Sequence, residues 1–242
     1  MNTLDVQGLR VDARLADISF QLQAGEMLGL IGPNGAGKST LLNCLANLQP
    51  YQGSVLFDGH TVAALSARER AQKIGFLPQA GASAWALRVA DVVALGRLPW
   101  GDTDARAMQN AVELSGIETL LSRTVDQLSG GEQARVWLAR VLAGEPEIVL
   151  ADEPIASLDL FYQRSIMASL RRYASSGRAV VLAVHDLGFA ARYCDRLCLL
   201  KNGRVHALGL PSDVLTEARV YEVFGVETEI DLQANPPRII PR

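Results

Sequence analysis

Residues 32–40 constrain the fold of this chain more than any other part of its sequence. They read GPNGAGKST and match the pattern G-x-x-x-x-G-K-[ST], in which backbone N–H groups surround a phosphate. Residues 27–31 before them are an apolar run as long as a buried strand, and residues 41–46 after them have helical spacing. A strand, a glycine-rich loop and a helix in this order predict an α/β fold with a phosphate-binding loop at its centre.

Each residue type in this loop has a physical role. Glycines let the backbone curl so that successive N–H groups point at one anion, and the helix that begins near Lys38 adds its positive end. Lys38 would reach the outer phosphates, and the Ser39 hydroxyl would ligate Mg²⁺. The alternative is a glycine turn with a surface lysine. The residues predicted to bind phosphate are Gly32, Pro33, Asn34, Gly35, Ala36, Gly37, Lys38, Ser39 and Thr40.

Composition excludes several classes of protein. Of 242 residues, 49% are apolar, so the chain can bury a sizeable core. A net charge of −3 without a dense Lys/Arg block argues against nucleic acid or anionic lipid as a partner. We find no signal peptide and no apolar run near the ~20 residues of a membrane helix, so we expect a soluble protein. Cys44, Cys194 and Cys198 are expected to be buried thiols in a reducing compartment.

The first third of the chain has the pattern of an antiparallel sheet. Residues 4–11 and 18–22 alternate between apolar and polar side chains, which predicts half-buried strands. A turn is predicted at 51–53, followed by a strand at 54–57. A short charged helix with a capping box is predicted at 66–72.

Helical spacing then replaces strand signals. We predict a helical insertion over about residues 84–143, because the sheet resumes afterwards. Continuous apolar runs at 148–151 and 179–184 predict strands covered on both faces, with a helix at 159–173 between them. The Asn-Gly pair inside 197–208 predicts a hairpin.

The last part of the chain carries weaker signals. Pro211 is expected to start a final helix, and the polar, proline-containing residues 226–242 are expected to lie on the surface. Residues 1–225 are therefore predicted to form a single domain with a C-terminal surface tail.

A second group of motifs follows the loop. Ser129 can cap the helix after it, and the neighbouring Gly130 and Gly131 allow close approach of the backbone to an anion. Asp152 and Glu153 end an apolar strand, where Asp152 suits Mg²⁺ and Glu153 suits a base for water. Solvated acidic residues at a strand end are the alternative. His185 ends the next strand at the same edge of the sheet, where it is expected to donate a hydrogen bond to phosphate.

With these motifs in order, the chain resembles the ATP-binding subunits of ABC transporters over essentially its whole length. Residues 91–100 resemble a segment of importers of iron siderophores, haem and vitamin B12. The matching motifs are the Walker A loop (32–40), the Q-loop glutamine (Gln79), the ABC signature (128–133), Walker B with the catalytic glutamate (148–153), the D-loop (157–159) and the switch histidine (His185).

The resemblance implies a P-loop core of the RecA-like type, an antiparallel β subdomain and a helical insertion that carries the signature. It implies that ATP and Mg²⁺ bind at the interface of a head-to-tail homodimer, with Ser129, Gly130, Gly131 and Asp159 contributing to nucleotide binding. Glu153, His185 and Gln79 are then the catalytic residues, and Gln79 joins Ser39 and Asp152 at the metal.

The resemblance also implies partners and a location. A separate membrane permease would be driven from the cytoplasmic face of the inner membrane, with an extracytoplasmic substrate-binding protein acting indirectly. We expect uptake of an iron siderophore, haem or vitamin B12. The alternatives are an ABC ATPase outside transport, such as one of cluster assembly, a P-loop phosphotransferase, or a regulator that does not turn over. An intact Glu153 argues against the regulator.

Two further expectations concern the base and the permease. Members of this family usually stack an aromatic side chain on adenine, but residues 10–15 contain none, and Ala13 takes the matching position. We therefore expect weak discrimination between ATP and GTP. We expect Gln79 and the small residues 80–84 to form a hinge, and Trp85, Leu98 and Trp100 to form the surface that docks on the permease.

Overall fold

The computed structural model describes residues 2–79 and 86–242 as three sheets surrounded by helices. Its strands are β1 (Asn2–Val11), β2 (Leu15–Gln23), β3 (Met27–Ile31), β4 (Gln52–Phe57), β5 (His60–Thr61), β6 (Ile74–Leu77), β7 (Ile148–Asp152), β8 (Ala179–Ala183), β9 (Arg196–Lys201), β10 (Arg204–Gly209), β11 (Thr228–Asp231) and β12 (Arg238–Pro241). Its helices are α1 (Lys38–Leu45), α2 (Ala67–Lys73), α3 (Val89–Ala94), α4 (Ala105–Ser115), α5 (Gly130–Ala143), α6 (Leu160–Ser175), α7 (Leu187–Tyr193), α8 (Pro211–Val214) and α9 (Glu217–Phe224).

A six-stranded sheet with the order β10-β9-β3-β8-β7-β6 forms the centre, and all its pairings are parallel except that of β9 with β10. Alternate residues of its central strands enter two different cores. Leu28 and Leu30 of β3 pack with α1 and the N-terminal strands, while Met27 and Ile31 pack with the helices on the opposite face. This layering explains the continuous apolar runs and confirms the predicted α/β fold.

The N-terminal strands form the predicted antiparallel sheet, in the order β2-β1-β4-β5. The turn predicted at 51–53 is wrong, because Gln52 and Gly53 already belong to β4. A Cβ on Gly53 would lie only 2.4 Å from the carbonyl oxygen of Gly8 in the paired strand β1. Glycine at this position therefore allows two strands to approach closely. In the sequence alone, a glycine that does this looks the same as a glycine in a turn.

Local capping signals place several helices correctly. Ser66 caps α2 by accepting a hydrogen bond from the Glu69 N–H, and the Glu69 carboxylate accepts one from the Ser66 N–H, as predicted. Helices α3, α4 and α5 occupy the segment expected to be helical. Its predicted start at residue 84 lies outside the described residues, and its limits stay a prediction.

The C-terminal region contains more structure than the sequence indicated. The hairpin of β9 and β10 is confirmed. After the short helix that Pro211 begins, a second helix, α9, follows, which the sequence analysis did not predict. Residues 226–242, expected only as a surface tail, contain the hairpin of β11 and β12, whose Ile230 and Ile239 pack partly against the core. No helix in the described part of the chain combines the length and the apolar character needed to cross a membrane.

Candidate nucleotide-binding site

The loop between β3 and α1 is packed so closely that glycine is required at both of its ends. Gly32 has φ 147°, and a Cβ there would lie 2.3 Å from the carbonyl oxygen of Leu200 in β9. Gly37 has φ 105°, and a Cβ there would lie 2.6 Å from a methyl carbon of Leu15 at the start of β2. These contacts hold the loop at the carboxyl end of β3, where α/β sheets bind ligands.

Lys38 points its ammonium group back into this loop. Its Nζ donates hydrogen bonds to the carbonyl oxygens of Gly32 at 2.8 Å and of Pro33 at 3.3 Å. The side chain is buried, and this burial lowers the pKa of Lys38, while the nearby carboxylates of Glu153 and Asp152 act in the opposite direction. A cation surrounded by backbone groups at this point is suited to an entering phosphate.

Ser39 and Asp152, two of the residues predicted to ligate Mg²⁺, have their side-chain oxygens next to each other. The Ser39 hydroxyl donates a hydrogen bond of 3.0 Å to Asp152 Oδ1. Burial raises the pKa of Asp152, and the hydrogen bond from Ser39 partly opposes this effect. A hydroxyl and a carboxylate at the mouth of a phosphate-binding loop fit a hard, oxygen-preferring cation such as Mg²⁺.

The three predicted catalytic residues meet at one carboxylate. Gln79 Nε2 donates a hydrogen bond of 2.7 Å to Glu153 Oε2, and His185 Nε2 hydrogen-bonds the other oxygen, Oε1. Each of the three residues follows the carboxyl end of a different strand, and β6, β7 and β8 are neighbours in the sheet. The topology therefore brings together side chains that lie up to 106 residues apart in sequence (185 − 79).

The signature residues lie at the start of α5. Ser129 caps this helix in a capping box with Glu132, whose carboxylate accepts a 2.8 Å hydrogen bond from the Ser129 N–H. Gly130 is exposed, whereas Gly131 is buried. Asp159 caps α6 by accepting a 3.1 Å hydrogen bond from the Tyr162 N–H. Within the residues that the structure describes, no hydrogen bond joins Ser129 to the phosphate-binding loop of the same chain.

Comparison with known proteins identifies the family. A family model described as ABC transporter matches residues 15–156. The hemin import ATP-binding protein HmuV of Pseudomonas entomophila is 43% identical, in a match that covers 97% of this chain and 96% of that protein. The protein of the same name from Gloeobacter violaceus is 43% identical, with 91% of this chain and 86% of that protein covered.

The chain belongs to the ABC transporter family. Among solved structures, cbiO1 from Clostridium perfringens, part of the ABC transporter complex cbiONQ, matches with a TM-score of 0.80 at 29% identity. That match covers 91% of this chain and 93% of that chain. The resemblance drawn from the motifs is thus confirmed, and with it the assignment of the chain as an ATP-binding ATPase subunit.

The segment expected near adenine lies beside the phosphate-binding loop of this ABC subunit. The carbonyl oxygen of Arg14 lies 3.2 Å from the position that a Cβ on Gly37 would take. Ala13 is exposed, with φ 58°, and the N–H of Arg14 donates to the carbonyl of Val11 at 3.0 Å. Gly203 was predicted only as part of the hairpin turn, but a Cβ on it would lie 2.3 Å from the Arg14 carbonyl oxygen, so the β9–β10 turn also shapes this segment.

The surface expected to dock on the permease is only partly described. Trp85 lies outside the described residues, while Leu98 is 71% and Trp100 38% exposed. The Trp100 indole Nε1 also donates a 2.8 Å hydrogen bond to the carbonyl of Gly144, just after α5, so this residue has a structural role too.

Sequence reasoning missed the residue that supports this surface. Arg97 is buried and forms a bidentate ion pair with Asp102, at 2.8 and 2.9 Å. Its guanidinium lies under the Trp100 ring, 5.1 Å from the centroid, and also donates to the carbonyl of Ala143 at 3.1 Å. The signal was an arginine and an aspartate five residues apart around a Pro-Trp-Gly turn. This pair holds Leu98 and Trp100 at the end of α5.

Proposed function

We propose that this chain is the ATP-hydrolysing subunit of an importer for hemin. What supports the proposal is its identity of 40% to 45% with proteins named hemin import ATP-binding protein, over more than nine-tenths of the chain in each case. The ATPase acts at the cytoplasmic face of the inner membrane on a separate permease. An extracytoplasmic binding protein delivers the substrate, so this chain itself does not recognise hemin.

Binding and orientation of ATP use the loop residues. Lys38 exchanges the carbonyls of Gly32 and Pro33 for phosphate oxygens, which the N–H groups of the loop and the start of α1 also receive. Ser39 and Asp152, whose side chains share a hydrogen bond, would hold Mg²⁺ together with the side-chain oxygen of Gln79. When bound, Mg²⁺ supplies positive charge that neutralises the charge developing on the phosphates.

Hydrolysis uses the cluster at the strand ends. Glu153 takes a proton from a water molecule as the water oxygen attacks the γ-phosphorus, and the bond between that phosphorus and the bridging oxygen of ADP breaks. His185 donates a hydrogen bond to the γ-phosphate and positions Glu153, with which it already shares a hydrogen bond. Gln79 orients the other carboxylate oxygen.

A homodimer completes each site. Ser129 is exposed at the positive end of α5, a helix of 14 residues, so its hydroxyl and the following N–H groups are suited to a γ-phosphate held by a second subunit. Gly130, Gly131 and Asp159 contribute to the same interface. Two chains arranged head to tail therefore enclose two ATP molecules, each held between one phosphate-binding loop and the partner's signature.

Coupling to the permease uses Gln79 and the exposed residues beyond it. Gln79 joins the strand end of β6 to the helical segment, so its hydrogen bond to Glu153 links nucleotide binding to the orientation of that segment. The small residues expected to act as the hinge, 80–84, lie outside the described residues. Leu98 and Trp100 form the apolar contact with the permease.

Uptake by the reconstituted transporter tests this proposal. The chain is co-expressed with its permease, the complex is placed in liposomes, and uptake of hemin, a ferric siderophore and cobalamin is measured with ATP present. We expect ATP-dependent uptake of hemin, with the Glu153→Gln complex as a control without transport. Uptake of the siderophore or cobalamin in preference to hemin would show that hemin is not the transported substrate. Failure to co-purify with any permease would reject the role in transport.

A further inference from the structure

The signature residue Gly131 is in contact with an aromatic ring of the same chain. A Cβ placed on Gly131 would lie 2.1 Å from Cδ2 and 2.3 Å from Cγ of Tyr162 in α6. Gly131 has helical backbone geometry within α5, so its conformation alone does not require glycine. At the neighbouring Gly130, a Cβ would meet nothing within 4 Å among the described residues. Tyr162 is therefore a specific reason for glycine at position 131.

The Tyr162 ring is held in this place by groups from two helices. The Arg135 guanidinium, one helical turn after Gly131, lies 5.1 Å from the ring centroid. Arg135 is anchored in turn by a 2.6 Å hydrogen bond to the carbonyl of Gly116. The Tyr162 N–H donates to the Asp159 carboxylate, and Phe161 packs edge-on at 5.2 Å. A ring fixed on several sides transmits displacement instead of yielding to it.

We propose that Tyr162 is a positioning residue that fixes the signature helix against the D-loop of the same subunit. Asp159 caps the helix that carries Tyr162, and Tyr162 packs on Gly131. The distance and orientation between Ser129 and Asp159 are therefore fixed. The inference rests on the proposed roles of the signature and the D-loop in hydrolysis. It adds that the D-loop follows the signature through this ring when the helical segment changes orientation, and that Gly131 is small because Tyr162 occupies the space beside it.

A rescue experiment on ATP hydrolysis tests the proposal in the full chain. Gly131→Ala should lower kcat at least about tenfold, because the methyl group displaces the ring and with it the signature. Tyr162→Ala should lower kcat about fivefold and leave KM for ATP within about twofold, because the subunit's own loop binds ATP. The double variant should recover to the level of Tyr162→Ala. Tyr162→Phe, which keeps the ring, should match the wild type.

Matched variants distinguish the contact between Tyr162 and Gly131 from a general effect of alanine in the signature. Tyr162→Ala should not rescue Gly130→Ala, because no ring lies beside Gly130. The melting temperature of every variant is measured, and Gly131→Ala should melt below the double variant. If the double variant is no more active than Gly131→Ala, the proposal is wrong, whether or not its melting temperature recovers. The same holds if Tyr162→Ala raises KM and leaves kcat unchanged. Because no hemin is used, these outcomes are independent of the transported substrate.

Discussion

Gln79 and Glu153 are joined by a hydrogen bond of 2.7 Å across the carboxyl ends of two neighbouring strands, β6 and β7. His185, after β8, hydrogen-bonds the other oxygen of the same carboxylate. The group proposed to accept the proton of water is thus connected on one side to the start of the helical segment. On its other side it is connected to the residue proposed to contact the γ-phosphate. Mutations of Glu153 and of its neighbour Gln79 should therefore have different effects, the first on hydrolysis and the second on the coupling of hydrolysis to the helical segment.

Glu153→Gln should bind ATP normally and lose most turnover. An amide cannot accept the proton of the attacking water, and removal of a general base typically costs about 10²–10⁴-fold in kcat. ATP binding by fluorescence and phosphate release measure the two properties. The matched control is Glu147→Gln. Glu147 immediately precedes the first residue of β7, at the end of the strand away from Glu153, and pairs with Lys73. We expect kcat of this variant to change less than twofold. Normal turnover of Glu153→Gln would remove Glu153 from the role of base.

Gln79→Ala should uncouple hydrolysis from transport. The substitution removes the hydrogen bond to Glu153 and leaves Leu98 and Trp100 in place, so the permease should still bind. Because Gln79 is also a proposed Mg²⁺ ligand, we expect slower phosphate release, and we expect hemin uptake per phosphate released to fall at least about tenfold. The two rates are measured on the same proteoliposomes. An unchanged ratio of uptake to hydrolysis would show that Gln79 does not carry the coupling.

Removal of Mg²⁺ by a chelator should stop hydrolysis, and Ser39→Ala should raise the Mg²⁺ concentration needed for half-maximal activity. The Ser39 hydrogen bond lowers the pKa of Asp152, which burial raises, and only the ionised carboxylate suits a cation. Loss of the hydroxyl should therefore shift the acidic limb of the pH–activity profile towards higher pH. Ser54→Ala in β4, which removes a hydroxyl outside the nucleotide site, is the control. If the acidic limb of the pH–activity profile does not move in Ser39→Ala, Asp152 is not the Mg²⁺ ligand that sets this limb.

The nucleotide site should discriminate weakly between ATP and GTP. Residues 10–15 provide no ring to stack on the base, and competition binding should give a preference below about a hundredfold, or ~2.7 kcal/mol. Ala13→Tyr should tighten ATP binding, since stacking on an aromatic contributes ~1–3 kcal/mol. Ala13→Gly, which suits the positive φ and adds no ring, is the control. Equal affinities of the Tyr and Gly variants would place the base elsewhere.

Leu98→Asp should weaken binding to the permease and leave ATP hydrolysis by the free subunit within about twofold of the wild type. A charge at this exposed position would lose its hydration when an apolar partner surface covers it, which disfavours binding. Leu210→Asp is the matched control, because Leu210 is 55% exposed at the start of α8. Co-purification and hemin uptake are measured for both.

Trp100 is tested separately, because its ring and its indole N–H have different contacts. Trp100→Phe keeps an aromatic side chain and removes the indole N–H that donates to Gly144, so it tests that hydrogen bond while an apolar ring remains for docking. Trp100→Ala removes both. Normal assembly and uptake by Leu98→Asp and Trp100→Ala would show that the docking surface is misplaced.

Elements whose signals are local were predicted from the sequence. The phosphate-binding loop, the capping box at Ser66, the helix cap at Ser129 and the hairpin of β9 and β10 depend on residues within a few positions of one another. The meeting of Gln79, Glu153 and His185 was also foreseeable, because each ends a strand and parallel strands align their carboxyl ends. The sequence by itself determined the family and which residues lie at the ends of neighbouring strands.

Contacts between distant segments were decided only by the tertiary structure. Gly53 signals a turn and a close approach equally well, and only the pairing of β4 with β1 selects the second. Gly131 belongs to a recognisable motif, yet the ring that fills the space beside it comes from Tyr162, 31 positions later (162 − 131). Periodicity and capping report energies within one element, whereas such contacts depend on how elements pack, which no single segment encodes.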